Sequence, residues 1–110
     1  MAKTIKLFIS QPMKGKSDNE IIGERKKAEE AVKNVLNSPG MMVEHFDLEV
    51  IDSFFQNAPA DAKPLWFLGK SLELLSDADY VYFCEGWQEA RGCQIEHDAA
   101  IKYGIKILND

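Results

Sequence analysis

The sequence has few of the residues that build disulfide, metal or nucleic-acid-binding domains. It contains two cysteines and two histidines among 110 residues, and these form neither a C-x-x-C nor an H-E-x-x-H pattern. We therefore expect no disulfide framework, no metal site and no cofactor. The formal charge is −5, whereas proteins that bind the phosphate backbone usually have an excess of basic residues. We therefore expect no nucleic acid polymer as a partner.

Long apolar segments are also missing. No apolar run approaches the ~18 residues of a membrane span, and Met1 to Ser10 lacks the apolar core of a secretory signal. These absences predict a cytoplasmic protein without a membrane partner. With 45% hydrophobic and 28% charged residues, the chain is typical of one globular domain, residues 1–110, that buries roughly two-thirds of its surface.

What the sequence does contain is an alternation of short apolar runs and helical patterns. The runs predict four strands, at Thr4–Ser10, Leu48–Phe54, Asp79–Cys84 and Ile105–Leu108. A capping box, Ser17 to Glu20, opens the first helix, and Pro39 and Gly40 end it. The segment "MMVEHFD" that follows either extends the second strand or forms a turn of helix.

Two further helices complete the predicted order βαβαβαβ. One covers Leu65–Leu75, and the other begins at Arg91 and ends at Gly104, where we expect a left-handed cap. Strands separated by helices become parallel neighbours through right-handed crossovers. We therefore predict an α/β three-layer sandwich with a four-stranded parallel sheet in the flavodoxin-like order 2-1-3-4.

One acidic residue interrupts the apolar stripe of the third helix. In "RGCQIEHDAA", steps of three and four residues place Glu96 on the same face as Cys93 and Ala100. Ligands of such sheets bind beyond the carboxyl ends of the strands where the order reverses, here strands one and three. Glu96 should therefore lie at the rim of a pocket, and the helix dipole and backbone amides should keep it anionic. The alternative is that Glu96 only stabilises the dipole or pairs with Arg91.

Two loops should form the walls of this pocket. The first, "SQPMKGKS", is either an anion or sugar cradle or a plain strand-to-helix turn with Gly15 chosen for its conformational freedom. The second, "EGWQEARG", contains Trp87, which either stacks on a base or packs in the core. Cys93, near a helix N-terminus that would lower its pKa, is a weaker nucleophile candidate than Glu96 and is equally explained by packing.

These same segments resemble a known family. "FISQPMKG" and "GKSLELLSDADYVYFCEGWQEARGCQIEHDAAIKYGIKIL" are similar to small bacterial and phage proteins of the nucleoside 2-deoxyribosyltransferase-like superfamily. Active members carry a G-x-x-x-E helix motif, matched here by Gly92 to Glu96. The resemblance implies that Glu96 is a nucleophile that takes the deoxyribosyl group from the base, as in retaining glycosidases.

The resemblance also implies the rest of the site. It gives a sugar or phosphate role to the first loop, Ser10, Gln11, Pro12, Met13, Lys14 and Gly15, and it implies a homo-oligomer. Active members carry an aspartate on the second helix where this sequence has Ser71, which can form a hydrogen bond but cannot act as a general acid near neutral pH.

Two hypotheses follow for a small-molecule nucleoside or nucleotide ligand. The first is an enzyme that cleaves or transfers the N-glycosidic bond of a deoxynucleoside or its monophosphate, with Glu96 and Ser71 as its catalytic pair. The second is a catalytically silent nucleotide-binding protein. Both predict the same further binding residues: Tyr82, Glu85, Gly86, Trp87, Arg91 and Gly92.

Overall fold

The computed structural model describes residues 3–39 and 46–109. Four strands form one parallel sheet: β1 (Lys3–Ser10), β2 (Phe46–Val50), β3 (Tyr80–Phe83) and β4 (Lys106–Ile107). Three helices connect them: α1 (Asp18–Leu36), α2 (Pro64–Leu75) and α3 (Arg91–Lys102). The spatial order is β2-β1-β3-β4. This confirms the predicted α/β class and the predicted strand order.

The central strand β1 is covered on both faces, which explains its nearly unbroken apolar run. Ile5, Leu7 and Ile9 pack on one face against α1. Phe8 belongs to a second cluster on the other face, with Leu75 of α2 and Ala100 of α3. The helices thus form one layer on each side of the sheet, as the pattern of a buried parallel sheet predicts.

The predicted helix ends agree with the structure. Ser17 caps α1, and its hydroxyl accepts the Glu20 amide while the Glu20 carboxylate accepts the Ser17 amide, both at 3.2 Å. Gly104 adopts φ +74°, the left-handed conformation expected after α3. Pro64 is the first residue of α2, where its missing amide costs no helical hydrogen bond.

All four strands differ from their predicted bounds: β1 begins one residue earlier, at Lys3, and β3 spans Tyr80–Phe83 instead of Asp79–Cys84. The sequence predicts the second strand at Leu48–Phe54, but β2 spans Phe46–Val50. The last ladder hydrogen bond to β1 is donated by the Ile51 amide to the Leu7 carbonyl, and beyond it the Phe54 amide donates to the Asp52 carboxylate and not to a strand. The predicted strand Ile105–Leu108 is shortened to Lys106–Ile107, since the Ile105 amide still donates to the carbonyl of Ala100 in α3. The segment Met41–His45, whose structure we left open, lies outside the described residues.

The side-chain amide of Asn109 forms strand-like hydrogen bonds with the backbone at the end of β3. The Asn109 amide group donates to the carbonyl of Phe83 at 2.6 Å and accepts its amide at 2.9 Å. This pairing continues beyond the short strand β4. It therefore holds the point from which the loop toward α3 leaves the sheet. A short 3-10 turn at Trp87–Glu89 within that loop was not predicted.

Candidate functional site

A buried carboxyl group lies at the carboxyl end of the central strand. Glu96 of α3 is only 6% exposed. The hydroxyl of Ser10, the last residue of β1, donates to Glu96 Oε1 at 2.6 Å, and the Ser71 side chain of α2 is near enough to favour the charged form and lower the pKa of this carboxyl. Three elements thus converge on one acidic group, at the sheet edge where the strand order reverses.

Burial dominates the electrostatics of Glu96. Desolvation raises the pKa of Glu96 above its ordinary value, and the Ser10 and Ser71 side chains only partly oppose this effect. This raised pKa acts against the expected stabilisation of the Glu96 anion by the helix dipole and backbone amides. Glu96 is the sixth residue of α3, and the dipole acts mainly within the first turn.

The structure also corrects the prediction for Cys93. This thiol lies beside the Ser10 hydroxyl and is 4% exposed, and burial raises its pKa to about 11. Its neighbour across the strand end, Cys84, is likewise buried with a pKa of about 11. Both thiols stay protonated near neutral pH, so neither is an activated nucleophile.

Gly92 opens the side of the site nearest the start of α3. A Cβ built at Gly92 meets no atom within 4 Å, so protein packing does not explain the glycine. Gly92 lies four residues before Glu96 and therefore on the same face of the helix. The position beside Gly92 on this face is therefore open space.

The first loop is tied to α1 more than to Glu96. Gln11 is buried, and its amide nitrogen donates to the Ile21 carbonyl at 2.9 Å and to Glu24 Oε1 at 3.0 Å. Glu24 also binds Lys16, with the ammonium 2.9 Å from Oε2. These two contacts lower the pKa of Glu24. Of the predicted loop residues, Ser10 alone has a hydrogen bond to Glu96 recorded among the described residues.

The remaining residues of this loop form its outer surface. Pro12 and Met13 are half-buried, whereas Lys14 and Gly15 are exposed. Gly15 has φ +79°, so the turn itself requires a glycine. Arg91, the first residue of α3, is also exposed. The sugar or phosphate role of Lys14 and the binding role of Arg91 stay predictions.

Trp87 is engaged within the protein. Its indole stacks on the imidazole of His97, with ring centroids 4.2 Å apart and planes 14° apart. Phe83 packs against it at 5.2 Å. One face of the indole is therefore covered, which favours the packing interpretation over stacking on a base. Gly86, with φ +89°, forms the turn before it and faces Pro12 across the loop.

Tyr82 and Glu85 lie on the other side of the sheet from Glu96. Tyr82 packs with the α1 cluster, whereas the neighbouring strand residue Phe83 packs with α2 and α3. A cavity of about 270 Å³ has a lining formed by Glu24, Lys27, Ala28, Tyr82, Cys84 and Glu85. The predicted binding residues are thus divided between two faces of one sheet edge.

Arg25 is a residue of this region that the sequence analysis missed. Its guanidinium connects the ends of β1 and β2 from α1. As with Glu96, the feature that could have identified it is a charged residue at helical spacing among buried apolar residues. Arg25 follows Ile21 by four residues and precedes Ala28 by three, so it is a charge within the buried stripe of α1.

Together these features define a small parallel α/β domain with a buried, hydroxyl-bound carboxyl group at its switch point. Residues 5–109 match the family described as a domain of unknown function, DUF4406, and the chain belongs to this family. Comparison with curated proteins and with solved structures finds no match.

Two absences apply to residues 3–39 and 46–109. No helix there is both long and apolar enough to cross a membrane. Nor does this part of the chain contain a group of three or more acidic, histidine or cysteine side chains placed to hold a metal ion.

Proposed function

We propose that this protein cleaves or transfers the N-glycosidic bond of a deoxynucleoside or its monophosphate, with Glu96 as the nucleophile. The observation that carries the proposal is the carboxyl group of Glu96, 6% exposed and bound by the Ser10 hydroxyl at 2.6 Å. A buried charge is unfavourable for stability. Its position at the switch point of the sheet is where this class of fold binds ligands.

The reaction follows from nucleophilic attack by a carboxylate. A Glu96 oxygen forms a bond to the anomeric carbon while the bond from that carbon to the base nitrogen breaks, and the electron pair leaves with the base. Water or a second base then attacks the same carbon and releases Glu96. Ser10 and Ser71 orient the carboxyl group. A serine hydroxyl does not release a proton near neutral pH, so the departing base takes its proton from water.

The raised pKa of Glu96 sets the pH dependence of this reaction. Only the carboxylate form is nucleophilic, and burial raises the pKa of Glu96. The rate should therefore increase with pH through the pKa of Glu96 in the folded protein and level off above it. A rate that falls over the same range would assign Glu96 the role of an acid instead.

A catalytically silent nucleotide-binding protein is the alternative. Ser71 stands where active enzymes of the resembling superfamily have an acid, and Trp87 is already stacked on His97. Both features favour binding without turnover. Under this alternative, a nucleotide should stabilise the protein although no free base appears.

The decisive experiment measures base release. The protein is incubated with each deoxynucleoside and each deoxynucleoside monophosphate, and free base is detected by chromatography. Glu96→Gln keeps the shape of the side chain but removes the nucleophile, and Glu89→Gln, at an exposed glutamate in the neighbouring turn, is the matched control. We expect turnover in the wild type and in Glu89→Gln, and none in Glu96→Gln.

Thermal denaturation with the same ligands separates the two functions. A ligand at a hundred times its dissociation constant adds about 2.7 kcal/mol of stability. Stabilisation without turnover supports the silent binder. The absence of both turnover and stabilisation with every nucleotide contradicts both functions.

We also propose that the protein is a homo-oligomer and that it is cytoplasmic. The start of α2 carries apolar side chains on the surface, with Leu65 77% and Phe67 38% exposed beside an aromatic contact between Phe55 and Trp66. Such a surface is typical of a subunit contact. Sedimentation of the wild type and of Leu65→Glu tests whether this surface joins subunits.

Both cysteines are free thiols, which is compatible with the reducing conditions of the cytoplasm.

A further inference from the structure

Arg25 binds the segments that leave two neighbouring strands. From α1, its Nη1 donates to Gln11 Oε1 at 3.4 Å, and its Nη2 donates to the Ile51 carbonyl and to Ser53 Oγ, both at 3.2 Å. The three acceptors are an amide oxygen, a peptide oxygen and a hydroxyl oxygen, all uncharged. Burial lowers the pKa of Arg25, yet arginine remains cationic at neutral pH.

These contacts reach both chain neighbours of Ser10. Ser53, which accepts from Arg25, donates in turn to the carbonyl of Ile9 at 3.3 Å. Gln11, which also accepts from Arg25, is anchored to the carbonyl of Ile21 at 2.9 Å. Ile9 and Gln11 flank Ser10 in the chain. The backbone carbonyl before Ser10 and the side chain after it are therefore each bound to a group in contact with Arg25.

We propose that Arg25 is a positioning residue that keeps the Ser10 hydroxyl on the carboxyl group of Glu96. The hydrogen bond from Ser10 to Glu96 measures 2.6 Å, and such a bond weakens strongly when its length approaches ~3.5 Å. A displacement of Ser10 by less than an ångström is enough to weaken it. The catalytic consequence rests on the proposed function, whereas the positioning itself does not.

The planar shape of the guanidinium is essential to this role. A guanidinium presents several N–H groups in a fixed fork and can reach acceptors on separate segments at once. A lysine at the same position retains the charge but has a single ammonium on a flexible stem. Arg25→Lys therefore separates geometry from charge.

The test is a carbon-13 NMR titration of the Glu96 carboxyl group in the full chain, assigned with Glu96→Gln. Ser10→Ala provides the reference, because loss of its hydroxyl removes a hydrogen bond that favours the carboxylate. We expect Arg25→Lys and Arg25→Met to move the titration midpoint of Glu96 upward, in the direction of Ser10→Ala. Lys26→Met removes an exposed charge from the next residue of α1 and should leave the midpoint unchanged.

The result that overturns the proposal is a folded Arg25→Lys protein in which Glu96 titrates as in the wild type. If the Arg25 variants do not fold, Ser53→Ala decides, since it removes the relay to Ile9 and leaves Arg25 in place. An upward midpoint in Ser53→Ala supports the proposal, and an unchanged midpoint contradicts it.

Kinetics distinguish this inference from the proposed function. Where the wild type turns over a nucleoside, we expect Arg25→Lys to lower kcat about 10- to 100-fold with little change in KM, because a misplaced catalytic group slows the reaction without weakening binding. Where no substrate is turned over, the proposed function fails, and the titration still decides whether Arg25 positions Ser10.

Discussion

The contact between Ser10 and Glu96 predicts a pH-dependent coupling between these two residues. The perturbation is a double-mutant cycle with Ser10→Ala and Glu96→Gln, which removes the hydroxyl donor and the charge separately and then together. The Ser10 hydroxyl lies 2.6 Å from Glu96 Oε1, and both side chains are buried. In the wild type this hydrogen bond is therefore shielded from bulk solvent.

The size of the coupling follows from the charge of the acceptor. A hydrogen bond to a charged group contributes about 1.5–3 kcal/mol, and one between neutral groups about 0.5–1.5 kcal/mol. When Glu96 is ionised, Ser10→Ala should therefore be more destabilising in the wild type than in Glu96→Gln by about 1–1.5 kcal/mol. When Glu96 is protonated it resembles glutamine, and the coupling should approach zero.

The sign of the pH effect follows from proton binding. Burial raises the pKa of Glu96 above its ordinary value of 4.5, so the folded protein binds this proton more tightly than the unfolded chain does. The free energy of unfolding of the wild type should fall as pH rises from 4.5 through the folded pKa. Glu96→Gln lacks this term and should gain stability relative to the wild type over the same window.

Urea denaturation of the four proteins, followed by circular dichroism below pH 4.5 and again at pH ~8, measures both effects. Ser76→Ala is the matched control, because its exposed hydroxyl donates at 2.6 Å to the Glu73 carbonyl, away from the site. A coupling below about 0.5 kcal/mol at both pH values, within ordinary additivity, would refute the reasoning.

Three other features yield predictions that do not depend on the function. Ser17→Ala removes the N-cap of α1 and should lower the free energy of unfolding by about 1 kcal/mol in urea denaturation; an unchanged midpoint would mean that the cap contributes nothing. Gly86 has φ +89°, so Gly86→Ala should lower the free energy of unfolding by about 1–2 kcal/mol, whereas a more stable variant would contradict this backbone conformation. Cys84 and Cys93, each with a pKa of about 11, should react with a thiol reagent at pH ~8 far more slowly in the native protein than in denaturant, and equal rates would show that these thiols are accessible.

The sequence contained most of the information about the fold because local and global signals agree. The uninterrupted apolar run of β1 indicated a strand covered on both faces, and the capping box fixed the start of α1 at Ser17. The boundaries that failed depend on contacts between segments. Beyond β2 the Phe54 amide donates to the Asp52 carboxylate and not to a neighbouring strand, and β4 is short because Ile105 remains bonded to α3. The spacing of apolar residues along the chain does not reveal such contacts.

For the candidate site, the sequence identified residues but not their contacts. A charge in the apolar stripe was enough to single out Glu96, and the resemblance pointed to Ser71. Tyr82 and Trp87 were grouped with them because they lie near the end of strand three. Side chains alternate between the two faces of a strand, and the folded structure places Tyr82 on the side of α1, while Trp87 stacks on His97.

The sequence by itself determined the order of elements, the strand order and the presence of an acid on a buried helical face, because these depend on spacing along the chain. The tertiary structure alone decided the protonation tendency of Glu96 and the attachment of Arg25 to both sides of Ser10. Burial and hydrogen-bond donors set the former, and the latter depends on segments that meet only in the folded chain. The pKa of Glu96 and the contacts of Arg25 both depend on which residues are close in the folded chain, and this cannot be inferred from residue spacing.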